Sequence, residues 1–529
     1  MAAKDLVNLD AMIPREDLES KRPGPKPSGG IPISQLAVGQ HYYGLLRKPL
    51  FQRETDDWSV DNVVSLIKSY REGHLIPSVI LWTAQGYTFV IDGAHRLSAF
   101  IAWVNDDYGD RHISQGFFKN EISKRQKEIA DECRKKIAAE GCTYSSLNSL
   151  TLLPQRTQEQ LQWSTNLAIG IETQYVNGDA NSAADSFLAI NQRAVQIDRT
   201  EKYMIENRTA PNVIAARAIA NSARGHAYWG AFSPENVEVI ERKARLIYTA
   251  IFEPEDANPG ADTDLQPAGL ARSASGLRMA LDLVNITNSI NQNKLTEADP
   301  DGTATARVIK RTYAVVKYVA GQNPSSLSLH PAVYFWGTTG NHRPSIFLAV
   351  IAFLQEMIQK NELIQFTLHR AQLEEFLVGS GALGQNVLSK YGGWKKSVAP
   401  IKRMLRLTLD GLKNGKTIQE IELLILAAQK SSNGEDYELA SDMSKSKWRK
   451  TKTALRHKAS IESAIRCPLC KARLVMKDVS DDHRTRRIDG GSSDIDNGDL
   501  THKFCNHGFK EHFAQLGMPI PEILSPVAT

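Results

Sequence analysis

Cysteine is scarce, with five in 529 residues. So few thiols in so long a chain exclude a disulfide-built scaffold. Long apolar runs are missing too. The longest, IFLAVIAFL (Ile346–Leu354), is far shorter than the ~20 residues a bilayer-spanning helix needs, and it reads as a buried helix. No apolar stretch follows the opening MAAKDLVNLD, so a secretory leader is not expected and a cytoplasmic setting without membrane contact is. Neither sign of charge dominates: 64 Lys and Arg against 59 Asp and Glu leave a net charge of +5. That balance does not by itself mark a nucleic-acid binder, so the placement of charge matters more than its sum. No internal repeat occurs.

What is present is ordinary globular material, 42% hydrophobic and 23% charged, enough for several cores. The expected class is α+β and multidomain. Residues 1–30 end in KRPGPKPSGG and read as a flexible lead-in. Residues 31–205 are mixed: SVDNVVSLIKSYREG has helical spacing, while SVILW and YTFVI are short β-branched and aromatic runs expected as strands. Residues 206–430 are dominated by amphipathic helical patterns, 431–460 read as a polar linker that turns basic, and 461–529 form a small terminal module. Two literal motif matches are set aside. GSGALG (Gly379–Gly384) lacks the preceding strand that a dinucleotide loop requires, and GLKNGKT (Gly411–Thr417) is one residue short of a phosphate loop and reads as an inter-helix turn.

The terminal module holds three of the five cysteines. Cys467 and Cys470 form a CxxC pair, and His502 and Cys505 form an HxxC pair about 30 residues later. Two such pairs suit a closed tetrahedral structural Zn²⁺ site, and a segment this short needs the folding energy a metal supplies. Upstream, KSKWRKTKTALRHK concentrates cations, including Lys447, Arg449, Lys450 and Lys452 around Trp448. Such an arm is as consistent with a solvated helix face as with sequence-blind DNA binding.

Beyond the metal pairs, the module contains Asp482-His483, Gly490-Gly491, Asn497 and Cys505-Asn506. In this order and spacing it resembles the HNH (ββα-metal) endonuclease family. The resemblance implies His483 as general base, Asp482 and Asn506 as ligands of a catalytic Mg²⁺ (or Mn²⁺), and Asn497 as the residue orienting the loop beside His483. Arg484, Arg486 and Arg487 are then expected phosphate contacts. His507 and Asp481 are rivals for the metal positions, and His502 stands where cysteine is more usual.

Near the N-terminus, PLFQRETDDW, SVDNVVSLIKSYREGHLIPSVIL and FVIDGAHRLSAF are followed by FLAINQRAVQIDRTE, in which Asn191 and Glu201 stand ten residues apart. These blocks resemble the domain shared by GmrSD-type and SspE-type restriction proteins, within the ParB/sulfiredoxin-like superfamily. Asp92, Gly93, His95 and Arg96, with Arg53, would then bind phosphate or a nucleoside triphosphate at a helix N-terminus. Both glutamines of the family's Asp-Gly-Gln-Gln-Arg loop are replaced, so nucleotide hydrolysis is left open. Together the resemblances imply a restriction or anti-phage defence endonuclease acting on double-stranded, often modified DNA, with the helical middle expected either to transmit the state of the N-terminal domain or to mediate self-association. A zinc-stapled DNA-binding regulator without nuclease activity stays open, as does a nuclease whose N-terminal domain merely binds DNA.

Overall fold

The computed structural model describes the chain except residues 1–5, 18–21, 27, 28, 51, 53, 54, 56, 57, 85, 151–154, 156, 195–198, 253–264, 270–273, 292–296, 338, 339, 380–394, 431–451 and 524–529. The N-terminal part is built on a five-stranded mixed sheet. Its strands are β1 (Leu6–Val7), β2 (Arg15–Glu16), β3 (Leu46–Pro49), β4 (Trp58–Ser59), β5 (Val79–Ala84), β6 (Tyr87–Asp92) and β7 (Thr173–Tyr175), of which β2-β3-β6-β5-β7 form the sheet and β1-β4 a separate pair. The expected strands SVILW and YTFVI are β5 and β6. They pair antiparallel with Ala84 opposite Tyr87, the tight reversal using Gly86 at φ 82°. The other sheet pairs, β2-β3, β3-β6 and β5-β7, are parallel.

Two helices fix the sheet's surroundings. α1 (Val60–Arg71) starts at Ser59, whose hydroxyl accepts the Asn62 N–H, and buries Val60, Val63, Ile67 and Tyr70 along one face. α2 (Ala94–Asn105) follows β6 directly and is buried on most sides.

The lead-in expected over residues 1–30 is corrected. β1 pairs with β4 and β2 with β3, and Val7, Leu9, Met12 and Ile13 are fully buried. The Pro/Gly/Lys stretch suggested mobility, but LVNLDAMI carries enough apolar surface to join the core ahead of it.

The middle is helical, as expected. Among its helices are α3 (Pro211–Ala220), α4 (Pro234–Ile251), α5 (Ala274–Asn288), α6 (Thr303–Val316), α7 (Pro344–Gln359), α8 (Leu363–Gly379) and α9 (Val398–Lys413). The apolar run Ile346–Leu354 lies inside α7 and is buried. No helix among the described residues is long and apolar enough to cross a membrane. GLKNGKT ends α9 and turns through Gly415 at φ 67°; most of GSGALG lies outside the described residues.

The expected linker is also corrected. Residues 431–451 lie outside the described residues, but 452–460 belong to α10 (Lys452–Glu462), whose His457 is 2% exposed with Nε2 2.8 Å from the Ala332 carbonyl oxygen. The terminal module is not an isolated bead. Ile461, Phe504, Phe509 and Phe513 share the core of the helical middle, and the Phe504 N–H donates to Ser326 O at 2.9 Å.

A buried ion pair organises that junction. Arg370 and Glu374, one helical turn apart on α8, are both fully buried and lie 2.9 Å apart. Arg370 also donates to the Leu327 and Ser328 carbonyls, while Glu374 accepts the Arg473 N–H at 2.9 Å and the Tyr334 hydroxyl at 3.3 Å. Removing one partner leaves a buried charge uncompensated, so Glu374→Gln is expected to cost about 3–5 kcal/mol. Urea unfolding measures this, and a loss below about 1 kcal/mol would show that the pair is not what holds the junction.

Candidate functional site

The terminal module folds as a hairpin followed by a helix. β8 (Val479–His483) pairs antiparallel with β9 (Gly498–His502), placing Asp482 opposite Asp499 and His483 opposite Gly498. A π-helical turn, Cys505–Lys510, then runs into α11 (Glu511–Gln515).

Cys467, Cys470, His502 and Cys505 converge beneath this hairpin. All four are buried, with candidate ligand atoms within 4.8 Å of one another. His502 Nδ1 lies 3.4 Å from Cys470 Sγ and 3.7 Å from Cys505 Sγ, close to the ~3.5–3.8 Å edges of a tetrahedron with zinc bond lengths. The other imidazole nitrogen, Nε2, is 3.0 Å from Arg473 O, the kind of contact that orients a metal-binding histidine. The CxxC turn closes through the Cys467 N–H to Ala472 O and the Lys471 N–H to Cys467 O, each 2.9 Å, with Lys471 at φ 58°. Arg473 and Arg466 grip Glu375 of α8 at 2.9 and 2.7 Å, tying the knuckle to the helical middle. Burial works against the charge of Arg370, yet Glu374, Tyr334 and the Cys470 and Cys505 sulfurs more than offset it. A cation so placed complements the net negative charge of a three-thiolate zinc centre. The residues therefore fit zinc.

On the hairpin, His483 is half-buried, and no hydrogen bond engages its imidazole among the described residues. The loop after it is pinned by Asn497, whose Oδ1 accepts the Thr485 N–H at 2.8 Å and whose Nδ2 donates to Thr485 O and Ser492 O. The Arg484 N–H donates to Asn497 O at 2.8 Å. Asn506 Nδ2 reaches back to Ser480 Oγ at 3.1 Å and Asp481 O at 2.9 Å. Its carbonyl oxygen has no described hydrogen-bond donor. Asp482, 7% exposed, is paired with Lys510 at 2.8 Å, and the same ammonium bonds the His483 carbonyl. Asp482 and Asn506 thus offer hard oxygen donors of the type Mg²⁺ takes, although Lys510 occupies one Asp482 oxygen. Asp481 and His507 are exposed.

The three loop arginines all have protein partners: Arg484 pairs with Asp499, Arg486 with Glu511, and Arg487 donates to Ser493 Oγ. Lys510 went unrecognised in the sequence. Its four-residue spacing from Asn506, placing both on one helical face, was the available signal.

In the N-terminal part, Asp92 ends β6, and Gly93 (φ 87°) opens α2. Arg96 folds back to Asp92 at 2.9 Å; the left-handed φ of Gly93 favours glycine, and a Cβ there would lie 2.9 Å from that guanidinium and displace it. Trp58 stacks on His95 with ring centroids 5.8 Å apart. Asp92, Gly93, His95 and Arg96 are therefore brought together at a helix N-terminus, with the Arg96 charge partly spent on Asp92. Arg53 lies outside the described residues, as do Lys447, Arg449 and Lys450; the side chains of Lys452, Asn191 and Glu201 do too.

Residues 33–207 match the family described as GmrSD restriction endonuclease, N-terminal domain. They form a GmrSD-type N-terminal domain. No curated protein and no solved structure matches the chain.

The GmrSD-type domain is completed by residues outside the matched span. Lys48, fully buried, is neutralised by Asp10 at 2.6 Å, and Arg15 joins the same carboxylate at 3.0 Å. Burial raises the Asp10 pKa, but Arg15 and Lys48 outweigh it and hold the carboxyl well below its usual range. Thr55 N–H and Lys48 Nζ also bond Asp10, and Arg15 reaches Gln52 O. The segment before the matched span thereby braces the stretch that contains Gln52 and Thr55.

Elemental analysis is expected to find a single zinc per chain in the purified protein, and almost none in Cys505→Ser. Its loss should lower the melting temperature, because the terminal module has only a small apolar cluster of its own. A metal-free protein of unchanged stability would contradict the zinc assignment.

Proposed function

We propose that this protein is a metal-dependent DNA endonuclease of the HNH kind, governed by its GmrSD-type domain. Such a domain points to a restriction-type nuclease or defence protein, with DNA as the implied partner. The observation that carries the catalytic part of the reading is the setting of His483: an imidazole with no hydrogen bond among the described residues, on a strand whose following loop is pinned by Asn497, beside oxygen donors from Asp482 and Asn506.

In this reading the His483 imidazole takes the proton of the attacking water. Asn497 holds the 484–497 loop so that the imidazole stays in reach of the scissile phosphate. Asp482 and Asn506 would hold the catalytic divalent cation, whose chemistry would be charge neutralisation at the phosphate and leaving oxygen. Lys510 keeps the Asp482 carboxylate compensated in the resting protein and adds positive charge near the same phosphate. Asp92, His95 and Arg96 of the GmrSD-type domain would sense a nucleotide or a phosphate-bearing feature of the target.

One observation favours a second reading. Asp482 already has a cationic partner, so the module could act as a zinc-stapled DNA grip without hydrolysis.

Cleavage of plasmid and of modified phage DNA in Mg²⁺ separates the two. Wild type is expected to cut and His483→Ala to lose at least ~100-fold, the usual contribution of a general base, at unchanged zinc content. Equal cutting by both proteins would remove His483 from the mechanism. DNA binding by the wild type with no cutting on any substrate would favour the grip.

A further inference from the structure

We propose that the shared face of α4 and α6 in the helical middle is a second contact surface for the phosphate backbone of duplex DNA. The choice of DNA as occupant rests on the nuclease reading; the surface itself rests on the placement of charge.

α6, sequence TATARVIKRTYAVV, contains no acidic residue, and its exposed positions include Arg307, Lys310 and Arg311, with Lys317 following its last turn. α4 lies alongside and runs in the same direction. At one end Asn236 bonds Asp301 O and Thr303 Oγ1, and at the other a Cβ on Gly321 would touch Ala250. Arg242 and Lys243 of α4 therefore lie level with Lys310 and Tyr313.

The charge along this pair is polarised. Most of the acids sit at the N-terminal end: Glu235 and Glu238 on α4, and Asp299 and Asp301, which cap α6 through the Gly302, Thr303 and Thr305 N–H groups; Glu241, midway along α4, is engaged by Trp229 Nε1 at 3.2 Å and Lys119 at 3.8 Å. From mid-helix onward Arg242, Lys243, Lys310 and Lys317 gather, and none has an acidic partner among the described residues. Elsewhere on the surface, lysines such as Lys135, Lys136 and Lys360 are paired with carboxylates one helical turn away.

Here aromatic rings replace the carboxylates. Lys243 Nζ lies 3.8 Å from the Tyr313 ring centroid and Lys317 Nζ 5.1 Å from that of Tyr318. Ring contacts hold an ammonium in place without neutralising it. The crowding is felt: burial first, then Arg242, Lys317 and Lys310, push the Lys243 pKa down. A surface that leaves like charges so close gains from a polyanion.

Arg307 to Lys317 spans about 15 Å of helix axis, long enough to face several phosphates of a duplex that carries one charge per ~1.7 Å. The basic end also leads directly to the candidate nuclease. Four residues beyond Lys317, the Gly321 N–H donates to Asp478 Oδ2 at 3.3 Å and Gln322 Nε2 to Lys477 O at 3.2 Å, just ahead of β8. One duplex could therefore follow the helix pair onto the hairpin.

The test is fluorescence anisotropy of a labelled duplex over a range of salt concentrations, in zinc-loaded full-length His483→Ala so that nothing is cut. The triple variant Arg242→Gln/Lys310→Gln/Lys317→Gln is compared in that background, with thermal melting as the fold check. The slope of log affinity against log salt is expected to fall by about 2–3, or about 0.9 for each phosphate no longer neutralised. An unchanged affinity and slope would overturn the proposal, as would a parent that shows no salt-dependent binding. Cleavage keeps the two ideas apart. If His483→Ala stops cutting and the triple variant binds normally, the surface fails and the nuclease reading stands. If His483→Ala still cuts while the triple variant loses binding, the catalytic reading fails and the surface stands.

Discussion

The buried pair of Arg370 and Glu374 is the constraint on which the rest of the C-terminal half depends. Two charges fully out of water are tolerated only when their remaining hydrogen-bonding capacity is met. Here Arg370 spends its donors on Leu327 and Ser328, and Glu374 spends its second oxygen on the Arg473 backbone. Arg473 in turn belongs to the knuckle and offers its carbonyl to His502. The pair therefore joins three things that would otherwise move independently: the helical middle, the CxxC turn and a histidine of the metal cluster. Its arginine also interacts electrostatically with the Cys470 and Cys505 sulfurs. A zinc ion bound in this cluster would be a structural part of the helical domain rather than the centre of an appended finger.

That seating gives the hairpin a fixed base, while its other surface remains available for chemistry. His483 has no competing hydrogen bond among the described residues, whereas the groups around it are held: Asn497 by both sides of its loop, Asn506 by strand β8, and Asp482 by Lys510. On the proposed reading this is the division a catalytic site needs, with its orienting groups locked and its reacting group free. The same division appears at the other end of the molecule. The Asp92–Arg96 loop is shaped by a glycine at left-handed φ and an internal ion pair, and the segment before the matched domain supplies Asp10 to a lysine that could not otherwise be buried.

What could be read from the sequence was local. The strands SVILW and YTFVI, the helix that follows Ser59 and the paired metal knuckles all depend on spacings of two to four residues. The metal residues Cys467, Cys470, His502 and Cys505 do converge. What could not be read was long-range or diluted. Asp10 and Lys48 are 38 positions apart and Glu374 and Arg473 are 99 apart, so neither pair carries a local pattern. The Pro/Gly/Lys stretch drew attention away from the apolar residues preceding it. The lysines and arginines of α4 and α6 become a patch only when two helices lie side by side. Lys510 was hidden for the opposite reason, as one more lysine in a basic chain, and only its 2.8 Å contact with Asp482 gives it meaning.

The central claim is that a zinc-stapled hairpin supports a separate catalytic cation held by Asp482 and Asn506. Titration of Mn²⁺ into zinc-loaded protein, followed by electron paramagnetic resonance, tests this most directly. The account predicts a bound Mn²⁺ in the wild type and at least about tenfold weaker binding in Asp482→Asn, with zinc content unchanged in both. No bound Mn²⁺, or equal affinity in the two proteins, would contradict it and leave the hairpin as a DNA-binding support alone.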